Sequence, residues 1–240
     1  MAELLVPQER SVEIAADVSD VIEFDQLLRN THDVEGISGY KVGLVLGLYL
    51  GLPEVVNVAR EYTNKNIIYD HQKAGNDIPA MGTEFAKVCR LSRVDAVILF
   101  PFGGKATQEA WIKAAQDNGL HVLVGGHMTQ PNFLASEEGY VADDAPDRIY
   151  RLGAELGVRD FVVPGNKLEY VVHYKELLEE ILGEGNFDLH APGFITQGGE
   201  LSEFAKQAGR RYHGIVGSAI YKAADQNAAA KLMTSQLKTA

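Results

Sequence analysis

Eight short apolar runs, each followed by a segment of helical period, predict an α/β chain folded as a single-domain (β/α)8 TIM barrel. Three observations carry that prediction. The runs alternate with helical segments, which implies a parallel sheet. Eight such units in 240 residues match the length of a closed barrel of about 250 residues. The turn after the first run reads Asp17-Val18-Ser19-Asp20, whereas an open doubly wound sheet, the competing fold, would carry Gly-x-Gly-x-x-Gly there.

The elements follow in order. Residues 12–16 form the first apolar run, with helical period over 21–28. Residues 40–43 form the second, and the next helix spans 53–62, where Pro53 suits a first helical turn. The third run, Ile67-Ile68-Tyr69, precedes a helix over 79–91. The fourth, 96–100, precedes 106–117. The fifth is 121–124, the sixth 160–163 with a helix over 168–182, the seventh 187–190 with 202–208, and the eighth 214–217 with 224–237. No linker or shift of composition divides residues 1–240, so one domain is expected. The exception to short connections is 126–145, about 20 residues before a helix beginning near Pro146. Loops of that length inside a compact domain are uncommon and often functional, so it is read as a lid over the strand ends.

Composition narrows the function. An apolar fraction of 46% supplies a core, and a net charge of -11 argues against general electrostatic binding of nucleic acid. A small anionic ligand remains compatible, since a few amides and cations suffice to hold it. The lone Cys89 excludes an internal disulfide and a cysteine-based zinc site. No apolar run reaches the length of a membrane span, and the N-terminus lacks a basic segment followed by an apolar one. A cytoplasmic protein without membrane partners is expected.

The most informative segment is Asp70-His71-Gln72-Lys73-Ala74-Gly75-Asn76-Asp77-Ile78-Pro79, directly after the third apolar run. Two carboxylates around one lysine at the end of a buried strand are costly to hold together unless the charges do chemistry. In a (β/α)8 barrel the site lies at the C-terminal strand ends. Those ends deliver Asp17 from the first strand and Lys41 from the second. The third delivers Asp70, Lys73 and Asp77, and the fifth His127 and Thr129. Gln197-Gly198-Gly199 follow the seventh, and Gly217-Ser218 the eighth. Glycine-rich turns after the last two strands often cradle phosphate with backbone N–H groups. A phosphorylated small molecule is therefore expected, with its phosphate near Gly198, Gly199 and Gly217 and its reacting end near Lys73.

Plainer readings stand beside these. Asp70 and Lys73 could form a structural ion pair, Asp17 could cap a helix, Gln197 could be a turn residue, and His71 could make only local hydrogen bonds. Neither His127 nor His190 has a partner at ligand spacing in the sequence, so no metal site is expected. The helix carrying Trp111 reads as core packing.

The ordered motifs resemble the orotidine 5′-monophosphate decarboxylase family. They are Ala16-Asp17-Val18-Ser19, Tyr40-Lys41-Val42-Gly43, the acid–lysine–acid loop closed by Asp77-Ile78-Pro79, Phe100-Pro101-Phe102-Gly103-Gly104, Met128-Thr129-Gln130-Pro131, Ala191-Pro192-Gly193 with Gln197-Gly198-Gly199, and Ile215-Val216-Gly217 with Ile220-Tyr221. They span nearly the whole chain. Two departures stand out. The family usually spaces its loop Asp-x-Lys-x-x-Asp-Ile-Pro, and both intervals here are one residue longer. The family also usually places an arginine after the Val-Gly of the eighth strand, where this chain has Ser218, with Arg210, Arg211 and Lys222 near in sequence as substitutes.

The resemblance implies decarboxylation of orotidine 5′-monophosphate to uridine 5′-monophosphate with no metal and no organic cofactor. Lys73 would stabilise and protonate the C6 carbanion, Asp70 would face the departing carboxylate, and Lys41 would complete the charged network. It further implies a homodimer in which Asp77, beside Ile78, reaches the neighbouring site. Asp17 would bind ribose hydroxyls, Thr129 the pyrimidine edge, and Gln197 the phosphate with Gly198, Gly199, Gly217 and Ser218. Two alternatives stay open: a sugar-phosphate lyase or aldolase of the same superfamily that uses magnesium, and a non-catalytic barrel that binds a nucleotide.

Overall fold

The structure, a computed structural model, describes residues 4–71, 75–194 and 200–238. Its strands are β1 (Arg10–Ala16), β2 (Ile37–Gly43), β3 (Asn66–Asp70), β4 (Ala96–Leu99), β5 (His121–Gly125), β6 (Asp160–Val162), β7 (Asp188–Ala191) and β8 (Tyr212–Val216). They pair in chain order and close into a barrel, β8 returning to β1, with every pairing parallel. The helices are α1 (Val21–Thr31), α2 (Leu44–Leu50), α3 (Leu52–Arg60), α4 (Met81–Leu91), α5 (Lys105–Asp117), α6 (Ala145–Glu155), α7 (Leu168–Leu182), α8 (Leu201–Gln207), α9 (Ser218–Tyr221) and α10 (Gln226–Ser235). The predicted (β/α)8 barrel is the observed fold.

Local chemistry explains the helix starts. Asp20, not Asp17, caps α1, accepting hydrogen bonds from the N–H groups of Ile22 and Glu23. That frees the Asp17 carboxylate for other partners. Two helices, α2 and α9, are additions to the predicted set. They are short and lie directly after β2 and β8, where a continuous apolar stretch hides the change from strand to helix.

Period-2 alternation divides each strand between two surfaces. Val12, Ile14, Tyr40, Val42, Ile67, Tyr69, Val97, Val122, Val124 and Phe161 belong to the large cluster under the helices. Ile68, Ala96, Ile98, Phe100, Leu123 and Val162 pack inside the barrel, joined by Leu5 and Val6 from the N-terminal segment. Leu5 O accepts from Asn66 Nδ2 and Val6 O from Arg211 Nη2. Both partners stand at the starts of their strands, so this segment stops the barrel floor.

The β1, β6, β7 and β8 side of the interior is polar. Ser11, Glu13, Asp160, Asp188, His190 and His213 are all buried there. His190 lies between Glu13 Oε2 at 3.0 Å and Asp160 Oδ1 at 3.1 Å. Asp188 takes two hydrogen bonds from Arg211, the shorter 2.5 Å. Ser11 Oγ bridges His213 Nδ1 and Ser38 Oγ. Burial alone would lower the pKa of His190, but the two carboxylates outweigh it and push it up to about 10. His190, which has no partner at ligand spacing in the sequence, lies in this closed floor.

Candidate active site

Strand register builds the charged centre of the mouth. Lys41 on β2 pairs with Ile68 on β3, and Asp70 follows Ile68 by two residues on the same face. The long lysine side chain therefore reaches one step up the barrel. Its ammonium lies 3.0 Å from Asp70 Oδ2 and 3.2 Å from Asp17 Oδ1. Lys41 is 8% exposed and Asp70 5%, so both charges are largely removed from water. Desolvation works against the Lys41 ammonium, but Asp70 and then Asp17 more than offset it, leaving its pKa raised. Asp17 is exposed, so the triad has one wet member.

A cavity of about 280 Å³ opens beside this triad. Lys41, Asp70, Ile98, Phe100, His127, Met128, Thr129, Gln130, Val162, Pro192 and Ile215 line it. One wall is apolar, the other charged, as suits a planar ring with one polar edge. A larger groove of about 650 Å³ lies outside the barrel wall against α5 and α6; it holds none of the mouth's charged groups. Two glycines shape the mouth. A Cβ on Gly125 would stand 2.3 Å from the Phe100 ring, and Gly193 has φ +109 and backs onto Thr129 Cγ2 and Asn166. A larger residue at either place would displace the cavity wall or strain the turn.

The connection after β5 is an organised excursion. It contains a 3-10 turn, Ala135–Glu137, and a bridge between Leu134 and Val141, and it buries Phe133 and Leu134. The β6–α7 turn straps it down. Asn166 Nδ2 donates to Thr129 O at 3.1 Å, while Lys167 Nζ reaches His127 Nε2 at 2.9 Å and Glu137 Oε2 at 3.0 Å. The ammonium can only donate, so His127 Nε2 accepts. The ring proton therefore sits on Nδ1 and is given to Tyr174 Oη at 2.8 Å. Burial, with the Lys167 charge next, lowers the His127 pKa to about 4. Sequence reading missed Lys167 and Glu137. Their only local signal was position, one beside the sixth strand's turn and the other within the long loop.

Among the expected site residues, the structure brings Asp17, Lys41 and Asp70 together and places Thr129 on the cavity. Asp77 and Ile78 stand exposed, Ile78 by 62%. Their backbone is pinned from α5: Thr107 Oγ1 donates to Asp77 O and Trp111 Nε1 to Ile78 O. Trp111 is thus more than core packing. His71 Nδ1 lies 3.1 Å from Tyr69 Oη, a local contact. A Cβ on Gly217 would touch Ala15, and Ser218 opens α9. Lys73, Gln197, Gly198 and Gly199 lie outside the described residues. Two of the three cations considered as substitutes at Ser218 are elsewhere: Arg210 pairs with Glu9 and Arg211 with Asp188, both at the floor end of β8. Lys222 follows α9 at the mouth end, over the Tyr221 ring.

Comparison with known proteins gives a consistent picture. The sequence model of the "Orotidine 5'-phosphate decarboxylase / HUMPS family" matches residues 11–233. An orotidine 5′-phosphate decarboxylase of Methanococcus maripaludis is 28% identical over 224 residues, covering 93% of this chain and 95% of that protein. One of Methanosarcina barkeri is 30% identical over 229 residues, covering 94% and 93%. The crystal structure of the Methanocaldococcus jannaschii orotidine 5′-monophosphate decarboxylase, complexed with the inhibitor BMP, superposes with a TM-score of 0.82 at 25% identity, over 96% of this chain and 99% of that one.

Proposed function

Because the chain belongs to the orotidine 5′-phosphate decarboxylase / HUMPS family, we propose that it is a carboxy-lyase that converts orotidine 5′-monophosphate to uridine 5′-monophosphate in pyrimidine biosynthesis. The observation that carries this reading is the Lys41 ammonium held between Asp70 and Asp17 beside an apolar-walled cavity. Strand β3 ends at Asp70, three residues before Lys73 in sequence.

The chemistry is a direct decarboxylation. The bond from C6 to the carboxylate breaks, carbon dioxide leaves, and the electron pair stays on C6. The Lys73 ammonium stabilises that developing charge and then donates its proton to C6. Lys41 holds Asp70 oriented toward the departing carboxylate. Asp17 binds ribose hydroxyls, and Thr129, held through its carbonyl by Asn166, reads the pyrimidine edge. Gly217 and Ser218, with Gln197, Gly198 and Gly199, take the phosphate, and the excursion over 126–145 serves as the lid.

Lys41 also separates this reading from a magnesium-dependent lyase. Its ammonium already stands between the two carboxylates that a divalent cation would need there and offsets one of their two charges.

Pairing of two chains completes the proposed site. Leu44, Val45, Leu48 and Tyr49 on α2, with Ile78 and Met81 near the start of α4, are exposed apolar side chains, suited to cover by a second copy. Asp77 then enters the partner's mouth.

The test is turnover of orotidine 5′-monophosphate in the presence of a chelator, wild type beside Lys73→Ala. Turnover in wild type, reduced by on the order of 10²–10⁴ in the variant, is expected. A folded protein that does not form uridine 5′-monophosphate ends the proposal, and tight nucleotide binding without turnover favours the non-catalytic barrel. The shared site has its own check. Mixing inactive Lys73→Ala and Asp77→Asn chains regenerates one intact site per mixed dimer, so about a quarter of wild-type activity returns if the dimer is two-fold symmetric.

A further inference from the structure

The barrel floor contains a set of donors that the reaction at the mouth does not use. Asp188 and His190 lie two apart on β7, and His213 on β8 is the register partner of His190. Their ligand-type atoms all fall within 4.8 Å of one another. A contraction of up to about 1.5 Å brings such atoms to the spacing of ligands bound about 2 Å from a shared zinc ion.

Two buried atoms at this place lack a hydrogen-bond partner among the described residues: His213 Nε2 and Glu13 Oε1. His213 Nε2 does lie 3.2 Å from Asp188 Oδ2, but without the alignment of a hydrogen bond. Both residues are 0% exposed, and buried polar atoms in native proteins are rarely left so. Formal charge points the same way. Glu13 and Asp160 face His190, while Asp188 faces Arg211 and His213, so three carboxylates share one guanidinium. Two negative charges remain, which protons on the imidazoles or one divalent cation would balance.

We propose that Asp188, His190 and His213 form a structural binding site for a zinc-like divalent cation in the barrel floor, with Glu13 available as a fourth ligand. Two imidazoles and one or two carboxylates suit zinc, or cobalt(II) in its place, better than the all-oxygen preference of magnesium or calcium. The surroundings already supply orientation. Whichever ring nitrogen of His190 binds the cation, the other keeps a carboxylate, Asp160 or Glu13, and His213 Nδ1 is held by Ser11. Carboxylate support behind a metal-bound histidine fixes its tautomer and raises its basicity. Loading would accompany folding, because Leu5, Val6 and Arg211 close the floor.

The test uses the untagged full-length chain, unfolded with chelator, refolded with cobalt(II) or zinc, and desalted. One cation retained per chain, a raised thermal midpoint and the visible bands of low-coordinate cobalt are expected. His213→Gln and His190→Gln, checked for folding by circular dichroism, lose the bound cation, and Asp160→Asn binds about 10- to 100-fold more weakly. Wild type that retains no metal overturns the site, as does metal retained undiminished in folded His213→Gln. Should the histidine variants not fold, X-ray absorption at the cobalt edge of wild type decides. Two imidazole nitrogens around the ion support the site, and oxygen neighbours alone overturn it. The outcome is independent of turnover at the mouth.

Discussion

Floor and mouth of this barrel both bury charge, and they do so with opposite consequences. In the floor His190 is enclosed by Glu13 and Asp160, and its pKa rises to about 10. At the mouth His127 has a lysine as its nearest charge, and its pKa falls to about 4. Burial disfavours the charged form at both sites; the sign of the neighbour decides the outcome. The floor has carboxylates in excess and is sealed by apolar chain. The mouth has one buried ammonium shared by two carboxylates, one of them exposed. A closed network stabilises only if nearly every member is satisfied, whereas an open one can leave a valence for a ligand.

The largest expected effect is on activity at the mouth. Lys41→Met removes the cation between Asp70 and Asp17, and kcat/KM should fall by on the order of a thousandfold. Its loss of stability should be smaller, about 3 kcal/mol, from leaving the buried Asp70 carboxylate without its cation. Equal losses in both quantities would show that Lys41 is mainly structural. Next comes the floor: Arg211→Met leaves Asp188 short of its guanidinium and should destabilise by about 3 kcal/mol, read from urea unfolding, with turnover per folded molecule unchanged. A loss of turnover there would break the division between floor and mouth.

Acid should act on the mouth through His127. Its folded pKa, about 4, lies below the ordinary value of 6.5, so the unfolded chain takes up the proton first. This contribution to stability is complete above about pH 6.5 and is lost as pH falls toward 4. Lys167→Met removes the cation that helps hold the imidazole neutral, so the ring's midpoint, followed by NMR, should move upward. An unmoved midpoint would leave burial as the sole cause. The smallest effect belongs to an exposed pair. Lys113 and Asp117 on α5 lie 2.9 Å apart in solvent, and Lys113→Ala should change stability by no more than about 0.5 kcal/mol. A larger change would mean that enclosure is not what distinguishes the buried networks.

Local sequence made much of this molecule legible. The eight apolar runs are the eight strands, shifted by one to three residues at their ends, because an apolar side chain does not mark where the ladder's hydrogen bonds stop. Asp17, Lys41 and Asp70 could be placed at one mouth because strand ends in a barrel share a face. The polar floor was not legible as a network. Glu13 and His190 are 177 residues apart and Ser11 and His213 are 202 apart. Each reads alone as an ordinary strand position, and no spacing rule joins β1 to β7 and β8 until the barrel closes. The strap from Lys167 to His127 and Glu137 was hidden for the same reason: it joins successive strand-end loops that meet only in space.

The order of strands, the alternation that forces them to close, and the acids and lysine delivered to one end were fixed by periodicity and composition, which act over a few residues at a time. Which histidine holds a proton, where Arg210 and Arg211 point, and whether carboxylates collect around a cation were decided by packing. Those properties depend on desolvation and on charges brought close from distant parts of the chain, and neither exists before the barrel shuts.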